Sequence, residues 1–109
     1  MGKFVISKRN NGEFQFNLKA TNGQVILASE GYVTKVNCEN GIESVKKNSQ
    51  IEERFEKKTA SNGKAYFSLK ASNGQIIGSS EMYESTTARD NGIESVKKNA
   101  PEATIEDLS

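Results

Sequence analysis

A chain of 109 residues carries material for one domain and is too short for two independent cores. Lys and Arg number 15 against 14 Asp and Glu, so no global field draws DNA, an anionic membrane or an acidic substrate. Hydrophobic content of 34% with 27% charged residues suits a thin core beneath a sheet covered on one face only.

The N-terminal stretch MGKFVISKRN lacks the apolar run of a secretory signal and has Ile6 where a myristoylation motif needs Ser or Thr. No segment approaches the length of a membrane span. Cys38 is the only cysteine, which excludes an internal disulfide and fits a reducing compartment. The sequence therefore reads as cytoplasmic.

Taken in order, Phe14, Phe16, Leu18 and Ala20 alternate with Gln15, Asn17 and Lys19, the two-residue period of a half-buried strand. Asn11-Gly12 and Asn22-Gly23 bracket that strand and predict hairpin turns of type I′, with positive φ at both central residues. A three-stranded meander follows, with strands near Lys3–Arg9, Glu13–Ala20 and Gln24–Ser29. Cys38, Ile42 and Val45 then recur at helical spacing, with Thr34 as N-cap and Lys46-Lys47 in the last turn. Asn48 is expected in the left-handed position past the helix end. Gly41 falls inside this helix at a cost of ~1 kcal/mol relative to Ala, which predicts a close approach to the sheet.

The same elements then return. GEFQFNLKATNGQVILASEGY reappears as GKAYFSLKASNGQIIGSSEMY, and NGIESVKKN occurs unchanged at Asn40–Asn48 and Asn91–Asn99. Gly12 maps to Gly63 and Gly41 to Gly92, a gapless period of 51 residues. A constant period marks a unit that packs against its own copy. The second meander is predicted at Glu53–Thr59, Lys64–Ala71 and Gln75–Ser80, followed by a helix capped by Ser85 and a last strand at Thr104–Asp107. One domain spans 1–109, with repeats at 1–51 and 52–109.

The paired motifs LKA-x-NG-x-x-I, S-E-x-Y and GI-x-SV-x-x-N, in tandem, resemble the YegP-like family of small uncharacterised bacterial proteins. The resemblance implies an α+β fold: a β-β-β-α-β unit repeated twice, one mainly antiparallel sheet, both helices on one face, and exchanged C-terminal strands. It also implies that single-unit relatives build this shape as homodimers, so the tandem chain is a fused pseudo-dimer and a monomer. It supplies no catalytic or binding residues.

Chemistry is sparse. The absence of histidine removes the usual general base near neutral pH and the commonest transition-metal ligand. One thiol without histidine builds no zinc site, and no phosphate-binding glycine motif occurs. No cofactor, metal or catalytic residue is expected. Two surfaces are candidates for binding. Ser29, Tyr32, Ser80 and Tyr83 lie between the third strand and the helix of each repeat, where free helix N–H groups and hydroxyls suit an anion; packing of each tyrosine between helix and sheet explains the same residues. On the polar sheet face, Lys19, Tyr66, Ser68 and Lys70 suit single-stranded nucleic acid, while simple solvation of an antiparallel face is the better explanation of the same residues. The sequence reading is a non-enzymatic binding or interaction module for a protein or small molecule, with weak single-stranded nucleic-acid binding as the alternative and an enzyme third.

Overall fold

The structure is a computed structural model and describes residues 2–109. Strands β1 (Lys3–Lys8), β2 (Phe14–Lys19) and β3 (Val25–Ser29) precede helix α1 (Lys35–Asn48). A 3₁₀ turn at Glu52–Arg54 leads to β4 (Phe55–Thr59), β5 (Ala65–Lys70), β6 (Ile76–Ser79), helix α2 (Thr86–Asn99) and β7 (Thr104–Asp107). The strands fall within a residue or two of the segments expected from alternation and turn residues.

All four hairpin turns share one geometry, and it is not type I′. Gly12, Gly23, Gly63 and Gly74 have φ of 86–88°, while no described residue other than glycine has positive φ. At the β2–β3 turn, Gly23 N donates to Ala20 O at 2.9 Å and Ala20 N to Gln24 O at 2.9 Å. This is a three-residue loop, a type I turn closed by a left-handed glycine. Asn22 stays right-handed because its Oδ1 accepts from Gln24 N at 3.0 Å, and Asn11, Asn62 and Asn73 do the same in their turns. The Asx bond, rather than a left-handed backbone, is why asparagine precedes each glycine.

The helices begin as expected. Thr34 Oγ1 accepts from Asn37 N at 3.1 Å and Ser85 Oγ from Ala88 N at 3.0 Å. Their ends differ from expectation. Asn48 and Asn99 are the last helical residues rather than left-handed caps, and the backbone stays right-handed at Ser49 and Ala100. Both caps are buried, and their N–H groups continue the helical ladder to Val45 O and Val96 O. Each asparagine instead folds back, its Nδ2 donating to Ser44 O at 2.9 Å or Ser95 O at 2.8 Å.

The strands form one seven-stranded sheet in the order β4-β5-β6-β3-β2-β1-β7. Neighbours are antiparallel except β1 and β7, which run parallel. The repeats meet at the β3–β6 seam, where Ala28 pairs with Ser79, its own counterpart in the other repeat, so a pseudo-twofold axis passes there. Strand exchange is completed at the β1 edge only. β7 leaves the second repeat to pair with β1, and β4 follows α1 yet pairs with β5. β4 fills two roles, as the strand handed over by the first unit and as the second repeat's copy of β1. That double use makes seven strands, not eight.

Phe4, Ile6, Phe16, Leu18, Ile42 and Val45 are buried in one half, and Phe55, Phe67, Leu69, Ile93 and Val96 in the other, within a single core. The pseudo-symmetry breaks at the axis for a steric reason. A Cβ on Gly78 would stand 3.1 Å from Leu27 Cγ and 2.8 Å from Ala28 O. Leu27 and Gly78 are counterparts, and the seam has room for one side chain. Symmetry also breaks at the edges. Ile6 and Cys38 are buried on the β7 side, whereas their counterparts Lys57 and Arg89 meet Asp90, at 3.3 Å each. Where no strand covers the edge, charge replaces apolar packing.

Candidate functional site

The S-E-x-Y segments fold into tight corners after β3 and β6. Ser29 Oγ accepts from Phe16 N at 2.9 Å and donates to Glu30 O at 2.8 Å; Ser80 repeats this with Phe67 N and Glu81 O. The serine hydroxyls therefore complete the backbone ladder where each strand turns away. Tyr32 and Tyr83 stay in the sheet through mutual backbone bonds with Phe14 and Ala65. Their rings stack on Phe16 and Phe67 at 6.2 and 6.4 Å between centroids.

Gly41 and Gly92 admit those rings. A Cβ on Gly41 would lie 2.8 Å from Tyr32 Cζ, and one on Gly92 equally close to Tyr83 Cζ, with the hydroxyl oxygens nearer still. The close approach expected of these glycines is thus mainly to a tyrosine ring, with Phe16 behind it in the first repeat. The hydroxyls reach the middle of the helix rather than its N-terminus, which Thr34 and Ser85 already cap. Neither tyrosine hydroxyl has a hydrogen-bond partner among the described residues. Burial raises both phenol pKa values, with smaller contributions from Cys38 and Glu30 beside Tyr32 and from Glu81 beside Tyr83, so both remain protonated donors near neutral pH.

Tyr32 lines a cleft between the helix of its own repeat and a hairpin of the other. This first cleft, of about 730 Å³, is bounded by Asn37, Asn40 and Ser44 of α1 and by the Ala71–Gln75 turn with Ile76 and Ile77. Its pseudo-twofold mate is divided into hollows of about 560 and 480 Å³. Asn91, Ser95 and Asn99 face Ala20–Asn22 in one, and Tyr83 and Glu81 face Gln24–Ile26 in the other. Ser44 Oγ accepts from Asn48 and Ser95 Oγ from Asn99, which leaves each hydroxyl proton for another acceptor. The first cleft thus combines a phenol, a carboxamide and a hydroxyl with one aliphatic wall, whereas in its mate the carboxamide and hydroxyl lie in one hollow, beside Glu94, Lys98 and Glu102, and the phenol and aliphatic wall in the other. Sequence reasoning took NGIESVKKN as helix and missed Asn40, Ser44, Asn91 and Ser95. The available signal was that this segment is identical in both copies on its exposed side as well as its buried one.

The other sheet face carries Lys19, Tyr66, Ser68 and Lys70. Ser68 is buried and shares a 3.0 Å hydrogen bond with Ser79 across the strands. Glu56 pairs with both Lys70 (3.0 Å) and Lys58 (3.2 Å), which hold its carboxyl below the usual range. Lys58 also lies over the Tyr66 ring, 6.0 Å from its centroid. Lys19 stands apart from this cluster, across from Lys3 on β1.

Cys38 is buried, and desolvation, with lesser help from Glu39 and Asp107, pushes its thiol up to about 11. It is a packing residue, protonated at neutral pH. Among the described residues, no group of three or more His, Cys, Asp or Glu side chains is placed to hold a metal ion. Among the described residues, no helix is long and apolar enough to cross a membrane.

The duplicated units, shared sheet and helix-bearing face define a tandem-repeat α+β protein of the YegP-like class. The chain belongs to the UPF0339 family: the model for a domain of unknown function, DUF1508, matches it twice, at residues 10–56 and 60–107. It is 56% identical over 108 residues to a UPF0339 protein of Shewanella oneidensis, covering 99% of this chain and 98% of that one. It is 56% identical over 106 residues to the protein YegP of Escherichia coli K12, covering 97% and 96%. Solution NMR structures give the same fold. The S. oneidensis protein superimposes with a TM-score of 0.93 at 57% identity, over 98% of this chain and 91% of that one. E. coli yegP, a protein of unknown function, gives 0.94 at 55%, over 98% and 92%.

Proposed function

We propose that this protein is a non-enzymatic cytoplasmic binding module that takes small, uncharged, hydrogen-bonding ligands in its twin clefts. The observation that carries this reading is the first cleft, where Tyr32, Asn40 and Ser44 converge on the opposite repeat's hairpin; Asn91 and Ser95 repeat the carboxamide and hydroxyl in one hollow of its mate, and Tyr83 the phenol in the other. Packing explains the tyrosine rings, but it does not require the exposed carboxamides or the available hydroxyl protons. A few convergent polar groups beside an aliphatic wall are the usual make-up of a small-molecule site. The open sheet face is the weaker candidate, because Lys58 and Lys70 are already paired with Glu56. A non-catalytic role is supported by the absence of histidine, the buried protonated Cys38 and the backbone-bound Ser29 and Ser80. The lone thiol supports the cytoplasmic assignment.

Amide NMR titration with a set of neutral hydroxyl- and amide-bearing fragments tests the reading. Shifts should gather at Asn40, Ser44 and Gly74 and at Asn91, Ser95 and Gly23. Asn40→Ala combined with Asn91→Ala should weaken binding about five-fold, the loss of one hydrogen bond per site. Shifts confined to Asn17, Tyr66 and Ser68, or indifference to the double substitution, would place the ligand surface elsewhere.

A further inference from the structure

The two edges of the sheet are built alike and finished differently. β1 is covered by β7, in parallel register from Lys3↔Thr104 to Ile6↔Asp107. β4, the counterpart of β1, has β5 on one side and no strand on the other among the described residues. The first-repeat counterpart of Thr104–Asp107 is Glu53–Glu56, which the 3₁₀ turn and β4 have already taken. None of the other described residues forms an eighth strand.

The vacant edge presents the same backbone groups that hold β7. On β1, Gly2 O accepts from Thr104 N at 3.3 Å and Ile6 O from Leu108 N at 2.8 Å. Of the corresponding carbonyls, that of Lys57 lies on β4, while that of Glu53 lies in the 3₁₀ turn before the strand. Ala60 N bonds inward to Lys64 O, so alternation along the strand turns the N–H and C=O groups of Lys57 and Thr59 outward.

Charge selects what can lie there. β7 is acidic and held by ion pairs, Lys3 with Glu106 at 2.9 Å and Lys35 with Asp107 at 2.8 Å. Arg54 is the counterpart of Lys3 in the repeat, lies in the 3₁₀ turn just before β4 rather than in the strand, and its guanidinium has no ion-pair or hydrogen-bond partner among the described residues. Lys57 and Lys58 replace Ile6 and Ser7 but already pair with Asp90 at 3.3 Å and Glu56 at 3.2 Å, which leaves Arg54 as the unpaired cation of this edge among the described residues. Lysines on an edge deter neutral and basic strands, and an acidic strand converts that barrier into attraction.

We propose that the open edge of β4 receives an extended acidic segment of a partner protein, added parallel to β4 as an eighth strand. A second copy of this chain is the poorer occupant. Its acidic strand is already engaged on its own β1, and both ion pairs would have to break. This surface lies on the sheet edge, apart from the clefts, and does not depend on them.

The seven-residue peptide ATIEDLS, the sequence of residues 103–109, is a direct probe when titrated into the intact protein. The amides of Lys57 and Thr59 should shift and exchange more slowly with solvent, while those of β1 and β7 stay unchanged. The neutral peptide ATIQNLS should bind about five-fold or more weakly, as should the acidic peptide to the Arg54→Ala protein. Lys57→Pro should abolish binding yet leave the fold intact, because the N–H it removes faces solvent. Four results would overturn the proposal: no binding at millimolar peptide, equal affinity for the neutral peptide, perturbation of β1 in place of β4, or sedimentation showing the unliganded protein associating through β4.

Discussion

Replacing Gly92 with Ala separates helix propensity from packing at the tyrosine. In an exposed helix interior the change stabilises by ~1 kcal/mol. Here the new methyl carbon would stand 2.8 Å from Tyr83 Cζ and 3.2 Å from its Cε2, inside contact distance, so the ring must move. Moving it disturbs the stack on Phe67, centred 6.4 Å away with only 10° between planes. Such stacks contribute about 0.5–1.5 kcal/mol beyond buried area, and overpacking adds about 1–3 kcal/mol. The balance is a net destabilisation of roughly 1 kcal/mol, or about 5 °C in Tm for a chain of this size. In a Tyr83→Ala background the ring is gone, and Gly92→Ala should recover its ~1 kcal/mol gain. Urea unfolding of the four proteins closes a double-mutant cycle with a coupling near 2 kcal/mol. An equal gain in both backgrounds would refute the idea that the ring requires the glycine. Gly41→Ala should cost more than Gly92→Ala, because fully buried Phe16 stands 3.1 Å behind and cannot yield.

Because both halves contribute to one core, the chain should sediment as a monomer and melt in a single transition; an obligate dimer or two separated steps would contradict this. Gly78→Leu should destabilise by about 1–3 kcal/mol through collision at the seam, and adding Leu27→Gly should restore much of the loss, as read by thermal melting. Asp107 should make the attachment of β7 acid-sensitive. Its hydrogen bond to Lys35, aided by Ser109, holds its pKa below the ordinary value of 3.8, so its contribution is complete above that value and lost as pH falls toward the folded-state pKa. Exchange protection at Leu108, whose N–H bonds Ile6 O, should accordingly fall on acidification from pH 5 to 2 before protection within β2 does; Asp107→Asn should remove that difference.

Local physics was legible in the sequence. Two-residue alternation set β2 and β5, Thr34 and Ser85 announced the helix starts, and the 51-residue period declared two copies of one unit. These signals are carried by neighbours along the chain, so no knowledge of the other half is needed. The asymmetries were visible as letters, Leu27 against Gly78 and Cys38 against Arg89, but their causes were not. A leucine is excluded from the second copy only because the axis brings both positions into one volume. An arginine replaces the cysteine only because β7 covers one edge and not the other. The clefts were hidden for the same reason, since Asn40 and the Gly74 turn lie on different repeats and meet only when the halves pack. Sequence by itself determined the unit and its repetition. The tertiary structure alone decided which faces the two units turn toward each other, because that choice rests on contacts between residues far apart in the chain.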